Sequence, residues 1–474
     1  MAASIEAMAR VGFVQYGATR AAYIARHQHT NKHSGILNVP PMHPHYVVLT
    51  VGTTGDIHPF IRIAKTLQAL GRKVTFITNT YHARLLNGTG LPFVGLGTDE
   101  DYLGVLQDPN VWDPKKGFSA LLVNYGEQLG QIDAAIRSVV DASPTVVLSH
   151  PITAPGAAIS RELGVIASIV SLYLAPSTIR TCHDPLRIGP TSVPRWVPMS
   201  WRRALWQFIE KGWIDPVGLG QLNARRRALN LPPVTSTFLA HIENAPDLTV
   251  TLFPSWFGPA MPDWPQPLLS GDFQLFEVEP ADHLSPELSA FLAAGDKPVV
   301  FTPGTGNFHA AAFFSCALAA VTKLGRRAIF LTREKAQIPA NLPATVLWQP
   351  YAPLSGLLPH AAALIHHGGI GTTAEALRAG TPQLVLPFGW DQFDNGARIT
   401  SLGAGLVMPS QGLQPRKLTR AIHRLITSDS VRTHCAQMAT RFTPPHDPTA
   451  LCTDIERHVF DPSALITART SVSA

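Results

Sequence analysis

One motif is written twice in this chain, and the repeat limits its fold more than any other feature. Val47-Val-Leu-Thr-Val-Gly-Thr53 returns 252 residues later as Val299-Val-Phe-Thr-Pro-Gly-Thr305. Each copy is a short run of strand-forming residues that ends in a glycine turn. A helical pattern follows each, with apolar residues recurring at three and four over Ile61 to Leu70 and over Ala312 to Leu324. Gly71 and Gly325 then suit the left-handed position that ends a helix. The next strand begins at once, in Leu70-Gly-Arg-Lys-Val-Thr-Phe-Ile-Thr78 and Leu324-Gly-Arg-Arg-Ala-Ile-Phe-Leu-Thr332. Strand, helix and strand in that order call for a right-handed parallel crossover. The expected fold class is therefore α/β, with two Rossmann-like domains whose parallel sheets face a common cleft and bind ligands at their strands' carboxyl ends.

A length of 474 residues suits two such domains. The first is expected over 45–250 and the second over 269–440. The proline-rich stretch 251–268, which holds Phe253-Pro-Ser-Trp256 and Pro262 to Pro267, reads as the linker between them. Residues 441–474 form a final helix, Thr449 to Phe460, and a tail. Residues 1–44 carry Arg10, Arg20, Arg26 and Lys32 against the single acid Glu6. They read as an N-terminal extension: a targeting peptide, a disordered arm, or an over-extended start ahead of Met42.

Composition narrows the function classes. With 45% apolar and 15% charged residues and no long apolar run, an integral membrane protein is not expected. The net charge of +6 is scattered, its densest cluster being Arg225-Arg226-Arg227 in a helix-like stretch, so nucleic acid is not an expected partner. Cys182, Cys316, Cys435 and Cys452 form no metal-ligand spacing, which fits a reduced, cytoplasmic setting.

The densest chemistry lies in Tyr351-Ala-Pro353, His367-Gly-Gly-Ile-Gly-Thr-Thr-Ala-Glu375, Gly380-Thr-Pro382 and Trp390-Asp-Gln-Phe-Asp-Asn395. Ala362 to His366 reads as a buried strand. Gly368, Gly369 and Gly371 after it let backbone amides open a helix close to a ligand, which makes an anion site suited to a diphosphate. His367 can donate to a phosphate oxygen. Glu375, two turns along, can accept from ribose hydroxyls. A dehydrogenase fingerprint is missing, because Gly52-x-x-Gly55 is not G-x-G-x-x-G.

These motifs resemble the donor signature of the inverting two-domain glycosyltransferases (GT-B, family 1-like). The resemblance implies that Tyr351, 16 residues before His367, stacks on the nucleobase, where relatives carry Trp. It implies phosphate contacts from Gly304, Thr305, Gly368, Gly369, Gly371 and Thr372, ribose contacts from Glu375, and sugar contacts from Asp391 and Gln392. It makes the first domain the acceptor domain and the second the donor domain, with the last helix crossing back to the first. Asp108-Pro-Asn-Val-Trp-Asp-Pro-Lys115 and Asp263-Trp-Pro-Gln-Pro-Leu268 are similar to stretches of the rhamnolipid-synthesis rhamnosyltransferase branch, whereas His367 and Glu375 look more like the general family.

The implied reaction moves a hexose from a UDP-glucose or dTDP-rhamnose type of donor to a hydroxyl of a lipophilic small molecule, with inversion. No metal and no cofactor beyond the nucleotide sugar are expected, since the helix start can stabilise the leaving diphosphate. A base is expected in the loop Gly52-Thr-Thr-Gly-Asp-Ile-His-Pro-Phe60, and both Asp56 and His58 are candidates. Arg195 to Trp213 carries Trp196, Trp201, Trp206 and Trp213 with Arg202, Arg203 and Lys211. It could line a lipophilic acceptor pocket, touch the inner face of a membrane, or pack on its own domain. A non-catalytic partner subunit of the same fold and a nucleotide-sugar epimerase are the alternative functions, and the oligomeric state stays open.

Overall fold

The computed structural model describes residues 44–460 except 114–115, 185, 190, 278–282 and 308. The N-terminal extension, apart from Pro44, and the tail beyond Phe460 lie outside the described residues.

Two parallel sheets organise the chain. In the first, strand order is Phe93–Leu96 (β3), Lys73–Asn79 (β2), His45–Leu49 (β1), Thr145–Ser149 (β4), Ser168–Tyr173 (β5), Leu248–Thr251 (β8) and Leu268–Ser270 (β9). In the second it is Val346–Gln349 (β12), Ala328–Leu331 (β11), Val299–Thr302 (β10), Ala363–His366 (β13), Gln383–Val385 (β14) and Gly405–Val407 (β15). A hairpin of Leu186–Ile188 (β6) and Thr191–Val193 (β7) stands apart from both. The repeated motif occupies one topological place in each half. β1 lies between β2 and β4, and β10 between β11 and β13, all parallel. Both copies therefore end where strand order reverses, so their glycine turns open at the crevice where such sheets take ligands.

The helices after these turns run over Thr54–Ala69 and Ala311–Leu324. Both stop with one hydrogen-bond pattern: Arg72 N donates to Leu67 O and Arg326 N to Val321 O, five residues back, around glycines at φ +75° and +61°. The first helix starts at Thr54 and not near Phe60, since Pro59 lies inside it and is accommodated there.

One boundary is corrected. The proline-rich stretch expected as the linker joins β8 to β9 within the first sheet, with Thr249 beside Leu268 and Thr251 beside Ser270. Proline breaks regular structure, but here it shapes a crossover inside a domain, and the passage to the second sheet falls after Ser270. The last helix, Thr449–Phe460, packs on the first domain: Cys452, Ile455 and Val459 share a core with Ile61 and Leu67. Arg72 grips Glu456 there through two hydrogen bonds of 2.7 and 2.9 Å. All four cysteines are buried and free.

Candidate functional site

The loop after β1 is built around a carboxylate. Asp56 Oδ2 accepts from Thr53 N at 2.7 Å and from Thr53 Oγ1 at 3.0 Å, which fixes the start of the first helix. Gly52 lies at φ +123°, and a Cβ there would stand 2.5 Å from Asp56 Oδ2, so only glycine permits the approach. His82 Nε2 and Tyr102 Oη both bind Gly52 O, at 2.9 and 3.1 Å, and anchor the loop from behind. Burial raises the pKa of Asp56, while the Thr53 hydrogen bonds oppose the rise. His58 meets Phe276 edge-on at 5.6 Å, and burial, with His82 and Arg333 nearby, pushes its pKa down to about 4.

The opposite wall is the turn between β13 and the helix Ile370–Arg378. The His367 ring lies between two glycines: a Cβ on Gly304 would stand 2.6 Å from its Cε1, and one on Gly369 2.4 Å from its Nε2. Gly304 and Gly368 also take φ of +90° and +96°. Burial pushes the His367 pKa down to about 4, so the ring is neutral, and its Nδ1 is a buried atom with no hydrogen-bond partner. Gly371 has open space around its Cα, while Thr372 is half-buried on the same first turn. Thr305 is exposed at the end of the β10 loop, and Tyr351 is exposed just beyond β12. Glu375 is buried beside Arg378, and burial, with Glu277 nearby, pushes its pKa up to about 7.

Asp391 and Gln392 take different tasks. The Gln392 side-chain oxygen accepts from Phe388 N and Gly389 N, at 2.8 and 3.2 Å, and so turns inward to brace its own loop. Asp391 stays toward the cleft, and its pKa is pushed up to about 7 by burial, with the negative charges of Asp56 and Asp394 adding to the rise. The loop that carries Asp56 meets the second domain directly, since a Cβ on Gly306 would stand 2.9 Å from the Thr53 methyl, and the Asp56 charge contributes to the rise at Asp391. Trp390, just before Asp391, holds φ at +56°, uncommon for a bulky residue. Its ring crosses to Phe118 of the first domain, 6.5 Å between centroids.

Several contributors were given no role by the motifs, Asn395 and Trp112 among them although each lies within one. Asn395 donates from Nδ2 to Asp391 Oδ2 at 2.7 Å and to Gly368 O at 2.9 Å, tying the Asp391 loop to the Gly368 turn. Its spacing of four from Asp391 is the one signal that could have disclosed it. Buried His366 accepts from Gly368 N and pairs with Gln383. Trp112 packs on the glycine loop of the second domain, its ring 3.3 Å from where a Gly306 Cβ would stand. Asp99-Glu-Asp101, the acidic triplet that could suggest a metal-bound diphosphate, starts the helix Asp99–Gln107, where Asp101 accepts from Thr98 N and Oγ1. Among the described residues no three His, Cys, Asp or Glu side chains converge as metal ligands, and no helix is long and apolar enough to cross a membrane.

Comparison with known proteins agrees with this geometry. Residues 46–153 match the glycosyltransferase family 28 N-terminal domain, and residues 315–457 match the erythromycin biosynthesis protein CIII-like C-terminal domain. The chain is 26% identical over 398 residues to O-mycaminosyltylonolide 6-deoxyallosyltransferase of Streptomyces fradiae, covering 81% of this chain and 90% of that one. It is 29% identical over 365 residues to vancomycin aglycone glucosyltransferase of Amycolatopsis orientalis, covering 76% and 84%. The solved structure of the glycotransferase of kitacinnamycin superposes with a TM-score of 0.67 over 88% of this chain and all of that one, at 19% identity, and so shares its fold. With one matched domain on each side of the cleft, the chain belongs to the two-domain GT-B, family 1-like glycosyltransferases and is a hexosyltransferase.

Proposed function

We propose that the chain moves a hexose from a UDP- or dTDP-linked donor to a hydroxyl of a lipophilic secondary-metabolite acceptor, with inversion and without a metal ion. The observation that carries this reading is the packing of the Asp56 loop, through Thr53, on the Gly304–Gly306 loop that also holds the His367 ring. In the proposed step the acceptor oxygen attacks the anomeric carbon while its proton passes to Asp56. The bond to the diphosphate breaks, and the pair of electrons leaves with the nucleotide. Backbone amides at Gly369 to Thr372 and the neutral His367 donate to the oxygens that gain charge. Asp391 accepts from a sugar hydroxyl, Glu375 from the ribose, and Tyr351 lies under the base. His58 is the weaker candidate for the base, because its ring packs edge-on against Phe276. The names of the two relatives give O-mycaminosyltylonolide and the vancomycin aglycone as their acceptors, which supports a secondary-metabolite acceptor here.

Thermal stabilisation by UDP, dTDP, GDP, NAD and NADP tests the donor site. A nucleotide at about 100 times its Kd should stabilise by roughly 2.7 kcal/mol. A shift with UDP or dTDP alone supports the reading and names the donor class. No shift with any diphosphate leaves only the fold and favours a non-catalytic partner subunit; a shift confined to NAD or NADP favours a dehydrogenase.

A further inference from the structure

One helix of the first domain is apolar on the side that faces solvent. Met199–Ile209 continues through the π-helical turn Glu210–Ile214. Its inner side is set by Arg202, Trp206 and Ile209, at helical spacing. Arg202 is buried and donates to the backbone oxygens of Val197 and Cys182, each at 2.9 Å, and of Arg195. The Trp206 indole N–H donates to Thr181 O at 3.0 Å. With the arginine inside, the other aromatics point out: Trp196 is 82% exposed, Trp201 72%, Phe208 65% and Trp213 52%. Trp201 and Phe208 are seven residues apart on one side, and the Phe208 ring meets Trp213 at 6.3 Å. A helix apolar on both sides has two faces to bury, and its own domain covers one. Exposed apolar clusters of this kind mark interaction surfaces.

Charge says what covers the other face. Arg203 and Lys211 are exposed among the aromatics, and Arg195, paired with Asp184, still exposes 73% of its side chain. The sole acid between Thr191 and Ile214 is Glu210, which is 1% exposed and paired with Arg180 at 2.9 Å. The face therefore offers amphipathic rings and cations with no exposed carboxylate of its own. Indole rings settle at the level of lipid headgroups, and long cationic side chains reach phosphates from the same depth. We propose that this face docks the chain on an anionic lipid surface, with Trp196, Trp201, Phe208 and Trp213 entering the acyl boundary and Arg203 and Lys211 pairing with headgroup phosphates. The platform is firmly mounted. The Thr181–Asp184 loop that holds the helix also carries Asp184 to Arg398 of the second domain, at 2.7 Å.

Flotation of the purified full chain with phosphatidylcholine vesicles, with and without phosphatidylglycerol, tests this. Binding is expected only with phosphatidylglycerol, to weaken with added salt, and to fall by at least about ten-fold in a W201S/F208S/W213S variant. The same variant should keep the wild-type Tm and nucleotide-induced stabilisation, because the three side chains point outward. An R203E/K211E variant should lose the phosphatidylglycerol preference while keeping the rings. Absence of flotation by the wild type, or flotation that the first variant leaves intact, overturns the proposal. Concentration-dependent self-association that the first variant abolishes, without vesicle binding, overturns it in favour of a second copy of the chain.

Discussion

Asp56 answers two demands at once, and they can be separated by substitution. As a cap it holds the start of the first helix through Thr53, and as the proposed base it takes the acceptor proton. Asp56→Asn keeps the shape and an oxygen for the cap. It is expected to lower kcat by about 10²- to 10⁴-fold, the usual contribution of a positioned base, with nucleotide-induced stabilisation unchanged. A variant with wild-type turnover would rule Asp56 out. Glu375 makes a second residue-scale prediction. Its buried carboxyl titrates near 7, and ribose hydroxyls donate best to the ionised form. Donor-nucleotide affinity should therefore rise from pH 6 to pH 8, and by more than the nucleotide's own ionisation explains. In Glu375→Gln, isothermal titration should find weaker binding without that extra slope; an unchanged slope would place the ribose elsewhere. The glycines, His367, Glu375, Asp391 and the carboxylate at 56 were all legible in the sequence, because close backbone approach and charge recognition each restrict residue type. The inward turn of Gln392 and the Asn395 bridge were not, since either side chain serves equally well facing solvent.

At the scale of elements, the first helix links stability to catalysis through its opening residue. The Thr53 hydroxyl donates to the Asp56 carboxylate and so favours its charged form. Thr53→Val removes that bond, leaves the backbone donor, and should cost on the order of 1 kcal/mol in stability. The pKa of Asp56 then rises further, so the acidic limb of the kcat/KM profile should move to higher pH, and Thr53→Ser should restore it. A limb that stays in place would mean that another group sets it. Sheet topology around β1 and β10 followed from the duplicated strand, turn and helix. The proline-rich stretch misled because proline reports a break in regular structure without telling whether the chain crosses to a new sheet or returns to the same one. For Met199–Ile209 the sequence left burial and exposure of the aromatics equally open.

For the whole molecule, buried ionisable groups set a pH optimum for stability. Burial pushes His58, His150, His241 and His367 down to about 4 and His366 to about 3. Each of these is protonated more readily when unfolded, so each removes stability as pH falls below about 6.5. Glu243, Glu375 and Asp391 are pushed up to about 7 and act oppositely: the native state keeps their protons, and stability is lost as pH rises from about 4 through 7. The five histidines outnumber the three carboxylates between pH 4 and 6.5, and the carboxylates prevail only near 7. The Tm of the nucleotide-free protein should climb from pH 5 to about 6.5 and then level or decline slightly. A Tm that climbs steadily to pH 8 would mean that the carboxylates are ionised in the native state.

What the sequence by itself determined is what neighbouring residues can enforce: a duplicated strand-turn-helix, glycine helix ends, and a glycine-opened helix start after β13. Each rests on backbone geometry within a dozen residues, where composition alone limits the options. Tertiary structure alone decided the rest. It packed the Thr53 loop on Gly306 from 253 residues away in sequence, set Trp390 across to Phe118, and put Arg202 inside with Trp201 outside. Those choices depend on which surfaces meet once two sheets and their helices are packed, and burial by distant neighbours leaves no periodic trace in the chain.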